Sequence, residues 1–172
     1  RIEVGQMKLD IQATDLQQLL EDVRMIVAQR ADSKGLQLHV SLAPSLPSAV
    51  YTDAVKLKQI LLNLLGNAVK FTDRGSVTLR IDGCTKSPAH DCDLAISVRD
   101  TGIGIASEKL EHVFDAFVQG SDDFSKAHEG TGLGLAICRE VMTRLGGAIV
   151  YLPGQGGGAF RVTLPERSKA AA

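Results

Sequence analysis

Residues 60–72 read ILLNLLGNAVKFT, and Asn63, Asn67 and Lys70 interrupt this otherwise apolar run at i, i+4 and i+7. In an α-helix that spacing puts all three on one face. Leu61, Leu62, Leu64, Leu65, Ala68 and Val69 occupy the rest of the circumference, so the helix is expected deep in the fold. Two carboxamides and an ammonium carried inward need partners, because each one left buried and unpaired costs about 1–3 kcal/mol. A structural hydrogen-bond ladder is one way to supply them. A ligand is the other: an asparagine oxygen suits a hard cation such as Mg²⁺, and lysine is a counter-charge for phosphate.

Around this helix the chain alternates between the two regular periods. Asp53 is placed to cap it, over residues 54–71. Upstream, ATDLQQLLEDVRMIVAQRADSKG (13–35) repeats Leu16, Leu19, Leu20, Val23, Ile26 and Val27 at helical spacing, with Thr14 and Gln17 as a capping box and Gly35 as the stop. LQLHVSL (36–42) alternates as a strand, and APSLPSAV (43–50) is expected to be a proline-punctuated loop. Downstream, SVTLRIDG (76–83) and DLAISVRD (93–100) predict an antiparallel hairpin around the polar loop 83–92. SEKLEHVF (107–114) is a short helix, and VQGSDDFSKAHEG (118–130) a long polar loop suited to motion. TGLGLAICREVMTRLG (131–146) is a third long helix, followed by strands at 148–152 and 159–165 around PGQGGG. Without repeats or βαβ alternation, these elements predict an α+β fold, a two-layer sandwich with helices on one face of a mixed, largely antiparallel sheet.

The glycine-rich turns narrow the chemistry. No G-x-x-x-x-G-K-[ST] occurs, which excludes a P-loop. GTGLGL (130–135) lacks the third glycine of a dinucleotide fingerprint and follows a polar loop instead of a strand. GQGGGA (154–159) fits that fingerprint only as a string, because it leads into a strand. In RDTGIGI (99–105), Asp100 ends a strand and precedes two glycines. Its carboxylate suits either a turn cap or an exocyclic amine such as that of adenine, and Gly102 and Gly104 allow backbone close to a flat base. Amides opening the third helix, around Gly130 to Gly134, have the dipole sign that favours phosphate.

Composition bounds the rest. The chain has 172 residues, 44% hydrophobic and 23% charged, with a net charge of −1, as expected of one soluble globular domain. That charge gives no support for nucleic-acid binding. No apolar run approaches the ~20 residues of a membrane span. The chain begins at Arg1, so a piece of a longer protein is expected. Cys84, Cys92 and Cys138 are expected to be reduced thiols of a cytoplasmic protein, and Cys84, His90 and Cys92 lack a fourth metal ligand at a known spacing.

Taken in order, these segments resemble the catalytic ATP-binding domain of sensor histidine kinases, the Bergerat fold shared with DNA gyrase, mismatch-repair ATPases and heat-shock chaperone ATPases. The resemblance covers about residues 14–165. LKQILLNLLGNAVKFT (57–72) is similar to that family's asparagine box, DTGIGI (100–105) to its first glycine box and VFDAFVQG (113–120) to its phenylalanine box. GTGLGLAI (130–137) resembles the second glycine box, and PGQGGGAF (153–160) a third that runs one residue long. RIEVGQMKLD (1–10) is similar to the end of a dimerisation helix and its linker, which sets residues 1–13 apart from a domain at 14–165 and a tail at 166–172.

The resemblance implies that the domain binds ATP with Mg²⁺ and transfers the γ-phosphoryl group to a histidine on a dimerisation domain outside this chain. Asn67 would ligate the metal, with Asn63 and Lys70 at the phosphates and Asp100 on the adenine amine. Gly102 and Gly104 would shape the base pocket. Gly130, Thr131, Gly132, Leu133 and Gly134 would form the lid hinge and phosphate cradle, with Phe114 and Phe117 anchoring the lid. Family hydrolases carry a glutamate at the position of Asn63, which cannot take a proton from water. Only Lys126 stands where the lid commonly has a basic pair; Ala127 and Glu129 depart from the pattern. That favours, as the alternative, a nucleotide-binding regulatory module with little kinase activity. None of His39, His90, His112 or His128 lies in a phosphoacceptor setting. The implied parent is a membrane-attached homodimer that reaches a response-regulator receiver domain indirectly, whereas this piece is expected to be a cytoplasmic monomer.

Overall fold

The structure, a computed structural model, describes residues 8–87, 90–116 and 133–165, with side chains outside 84–92. In chain order the elements are β1 (Gln12–Asp15), α1 (Leu16–Ser33), β2 (Gln37–Leu42), β3 (Ala49–Thr52), α2 (Ala54–Lys70), β4 (Ser76–Ser87) and β5 (His90–Asp100). A 3₁₀ turn (Ser107–His112), α3 (Gly134–Arg144), β6 (Ala148–Pro153) and β7 (Gly158–Pro165) complete them. Five strands form one sheet in the order β2-β4-β5-β7-β6, parallel only at the β2–β4 edge. α2 lies over β4 and β5, flanked by α1 over β2 and α3 over β6. The expected α+β sandwich with a mixed, mainly antiparallel sheet is the observed one.

Alternation along the strands decides which face the helices cover. Val77, Leu79 and Ile81 of β4, Leu94, Ile96 and Val98 of β5, and Phe160, Val162 and Leu164 of β7 are buried on that face. The opposite face carries Arg80, Asp82 and Arg161, with Asp82 joined to Arg80 at 2.6 Å and to Arg161 at 3.6 Å. α2 is the central helix and buries Leu57, Ile60, Leu61, Leu64, Leu65, Ala68 and Val69. Each of these leucine, isoleucine and valine side chains contributes about 1.5–3 kcal/mol by leaving water. The charged Lys34 side chain ties α1 to the end of α2, donating to the Val69 and Lys70 carbonyls at 2.8 and 3.2 Å. Those are carbonyls that a helix end leaves without internal partners.

Three local expectations are corrected. The cap of α1 is Asp15, which accepts from the Gln18 amide at 3.0 Å, and not Thr14 with Gln17. Thr14 belongs to β1, where its hydroxyl donates to the Gln12 and Thr52 carbonyls, because β1 pairs with β3 before the helix starts. The stretch 43–50 is not all loop: Ala49 and Val50 begin β3, drawn into extended form by that pairing. The β4–β5 hairpin also runs further than its apolar alternation, since the ladder continues through Thr85–Asp93 and Ser87–His90 past two register shifts.

Candidate functional site

α2 presents Asn63, Asn67 and Lys70 along one partly buried face, as their spacing requires. The Asn67 Nδ2 amine donates to Asn63 Oδ1 at 3.3 Å. Asn67 Oδ1 is thereby left without a donor among the described residues. Lys70 has no carboxylate partner among them; its Nζ lies 5.2 Å from the centre of the Phe71 ring. The structural ladder thus joins the two asparagines and, among the described residues, leaves the Asn67 amide oxygen without a donor and the Lys70 ammonium without a carboxylate.

α3 begins against this face. Gly134, its first residue, packs on the Asn63 side chain so closely that a Cβ there would collide with Asn63 Nδ2. Leu133 precedes it, partly buried and in helical conformation, with no side-chain cap on the helix. The first-turn amides and positive dipole end of α3 therefore sit beside Asn63.

A second group of atoms gathers where β5 ends. Asp100 Oδ1 accepts the Gly102 amide at 2.9 Å, and burial raises the carboxyl pKa above the ordinary aspartate value despite that bond. Gly102 is wedged against the chain leaving α2. A Cβ on it would strike the Phe71 carbonyl and lie 2.8 Å from Thr72 Oγ1 and 3.0 Å from Asp100 Oδ1. The Ile103 amide reaches the same Phe71 carbonyl at 3.4 Å. Gly104, at φ 68°, rests against the carbonyl of Gly157 in the β6–β7 turn. Helix α2 thus bears both groups, Asn63 and Gly134 at one place and Asp100 with Gly102 two turns later, roughly 12 Å along the axis at 1.5 Å per residue.

Of the predicted site residues, the structure brings together Asn63, Asn67 and Gly134, and separately Asp100, Gly102 and Gly104. Lys126, Gly130, Thr131 and Gly132 lie outside the described residues, as do Phe117, His128 and the side chains of Cys84, His90 and Cys92. Phe114 packs edge-on to Phe160 at 5.9 Å, and the Arg139 guanidinium lies 5.8 Å from its ring centre, so it joins α3 to the sheet. Cys138 is buried in α3, its thiol pushed up to about 12 by burial, which leaves it unreactive. His39 is exposed on β2, and His112 pairs with Asp115 at 2.8 Å. Among the described residues no three His, Cys, Asp or Glu side chains gather into a metal set.

Two polar residues of the site escaped the sequence reading. Thr72 is wholly buried, and its hydroxyl has no hydrogen-bond partner among the described residues. Tyr151 accepts the Ile105 amide at 3.1 Å and lies beside Phe160. Thr72 directly follows the asparagine-bearing helix, which was a usable signal. Tyr151 had none, because its place depends on strand register.

Comparison with known proteins matches residues 52–168 to the family described as histidine kinase-, DNA gyrase B- and HSP90-like ATPase. The chain is 41% identical over 170 residues to the non-motile and phage-resistance protein of Caulobacter vibrioides, covering 97% of this chain and 20% of that one. It is 34% identical over 165 residues to the sensory/regulatory protein RpfC of Xanthomonas campestris pv. campestris, covering 95% and 23%. Among solved structures, full-length ShkA in complex with AMPPNP superposes with a TM-score of 0.81 at 34% identity, over 98% of this chain and 33% of that one. The mycobacterial sensor histidine kinase MprB gives 0.75 at 26%, over 91% and 99%.

Proposed function

Because the chain belongs to the family of histidine kinase-, DNA gyrase B- and HSP90-like ATPases, we propose that it is the ATP-binding catalytic domain of a sensor histidine kinase. It binds ATP with Mg²⁺ and passes the γ-phosphoryl group to a histidine on the dimerisation domain of its parent. The observation that carries this is the polar face of α2 meeting the first residue of α3 at Asn63, with Asp100 held two turns away. That span suits a nucleoside triphosphate, phosphates at the α3 end and base at the Asp100 end.

Each side chain then has a physical task. Asp100 accepts from the adenine amine, while Gly102 and Gly104 keep the backbone beneath the base. Lys70 and the α3 N-terminus offset phosphate charge. The free Asn67 Oδ1 is an oxygen donor of the kind Mg²⁺ takes, so the residues present fit the ion. Mg²⁺, when bound, neutralises charge on the phosphate oxygens. Asn63 orients but takes no proton, which disfavours water as the nucleophile. A neutral imidazole needs no such base: its nitrogen bonds to the γ-phosphorus in line as the bond to the bridging oxygen breaks and ADP departs. Lys126, Gly130, Thr131 and Gly132 are assigned to the same phosphate end, with Leu133. Membrane attachment, a dimeric parent and an indirectly reached receiver domain belong to the same proposal. Among the described residues no helix is long and apolar enough to cross a membrane.

Titration calorimetry tests the assignment. Asn67→Ala should abolish the Mg²⁺-dependent part of ATP affinity and leave the fold intact; unchanged binding refutes the metal role. With the parent's dimerisation domain added, label from [γ-³²P]ATP should appear on its histidine. Nucleotide binding without transfer would instead establish a regulatory module.

A further inference from the structure

Strand register brings a tyrosine of β6 to the base end of the site. Asp100 of β5 pairs with Gly158 of β7, and Gly158 pairs in turn with Pro153 of β6. Tyr151, two residues before Pro153 and on the same face, pairs with Phe160, and their rings meet tilted at 56° with centroids 5.0 Å apart. The Tyr151 hydroxyl leans over Gly158 so closely that a Cβ there would collide with it. The missing side chain at Gly158 is what lets a β6 residue approach the β5 aspartate across an intervening strand.

The hydroxyl is also oriented. The Ile105 amide donates to its oxygen at 3.1 Å, so that lone pair is engaged and the proton points elsewhere. No acceptor for that proton lies among the described residues. Burial above all, and the charge of Asp100 to a smaller extent, raise the phenol pKa, which keeps the proton in place at neutral pH. Thr72 Oγ1 and Asp100 Oδ1 both flank Gly102, and the wholly buried Thr72 hydroxyl has no hydrogen-bond partner among the described residues. Asp100 is half-buried, and both the Tyr151 hydroxyl proton and the Thr72 hydroxyl have hydrogen-bonding capacity left over among the described residues.

We propose that Tyr151 is a base-selecting residue, its hydroxyl donating to the adenine ring nitrogen N1 next to the amine that Asp100 accepts. This rests on the adenine-reading role of Asp100 proposed above. A carboxylate alone accepts equally well from the ring N–H of a 6-oxopurine. A fixed donor beside it demands an amine next to a bare ring nitrogen, the pattern of a 6-aminopurine. A 6-oxopurine in the same pose would set an oxygen against the carboxylate and an N–H against the hydroxyl proton.

The test is equilibrium binding of ADP, IDP and 1-deaza-ADP to the unmodified chain and to Tyr151→Phe, which keeps the ring packing. One neutral hydrogen bond predicts about a five- to tenfold loss of ADP affinity in Tyr151→Phe. The unmodified chain should show a similar loss for 1-deaza-ADP, and Tyr151→Phe should bind ADP and 1-deaza-ADP alike, with a narrower ADP-to-IDP preference. Unchanged ADP affinity overturns the proposal. So does a 1-deaza penalty that persists in Tyr151→Phe, which would reduce the hydroxyl to a prop for the Ile105 amide. Should that variant fail to fold, the unmodified chain decides alone: equal affinity for ADP and 1-deaza-ADP sinks the idea. Asp100→Asn in parallel separates the two levels, because full ADP affinity there removes the base-reading role itself.

Discussion

Asp100 illustrates a conflict between stability and binding held in one side chain. Burial raises its carboxyl pKa, so in the free domain the charged form is the costly one. A carboxyl raised on folding contributes stability that is complete below the ordinary aspartate pKa and is lost as pH climbs through the raised value. At neutral pH Asp100 therefore destabilises the free chain. Asp100→Asn, which can still accept the Gly102 amide, should melt higher than the unmodified chain at pH 7. The difference should vanish as pH is lowered towards the ordinary aspartate value, while ADP affinity drops at pH 7. Thermal melts across that pH range check this, and a variant less stable at pH 7 would contradict it. Asn63, Asn67, Lys70 and Asp100 were legible from residue type and spacing, since each is a polar group in an apolar or turn setting. Thr72 was missed although its place just past the asparagine-bearing helix was a signal, whereas Tyr151 gave none, because its approach to the site depends on strand register.

At the scale of elements, α2 organises the site and is itself held at both ends. Its N-terminus is capped by Asp53, which is 4% exposed and accepts from the Lys56 amide at 3.0 Å and from the Asp10 amide at 2.9 Å. The same carboxylate thus ties the segment before β1 to the helix that carries Asn63 and Asn67. Asp53→Ala should cost about 1–2 kcal/mol, from the lost cap and the stranded amides. Chemical denaturation checks the value, and a loss below ~0.5 kcal/mol would show that neither contact matters. Asp53 as a cap was readable from its position before an apolar helix. The cap of α1 was misread by one residue, since Thr14 and Asp15 are both good caps and only the β1–β3 ladder decides which is free to turn. β3 went unseen for the same reason. Four residues in a proline-rich setting carry little strand signal until a partner strand holds them extended.

For the molecule as a whole, binding and stability are linked. A ligand that binds only the folded chain adds about 2.7 kcal/mol at a hundredfold excess over its Kd. In a domain of this size that moves the melting temperature by roughly 5–10 °C. Thermal melts with ADP and Mg²⁺ should show that shift, and an unmoved transition at saturating ADP would deny a nucleotide site. The polar face of α2, the alternating strands and the Asp–Gly turn were legible in the sequence alone, because 3.6- and 2-residue periods and short spacings are local properties, and the order of its motifs carried the resemblance to the family. Tertiary structure alone decided that Gly134 seats α3 on Asn63, that Gly102 fits under the α2 terminus beside Thr72, and that Tyr151 crosses Gly158 towards Asp100. Each of those contacts joins residues dozens of positions apart or on separate elements, and only the packing of helices on a registered sheet brings them within reach.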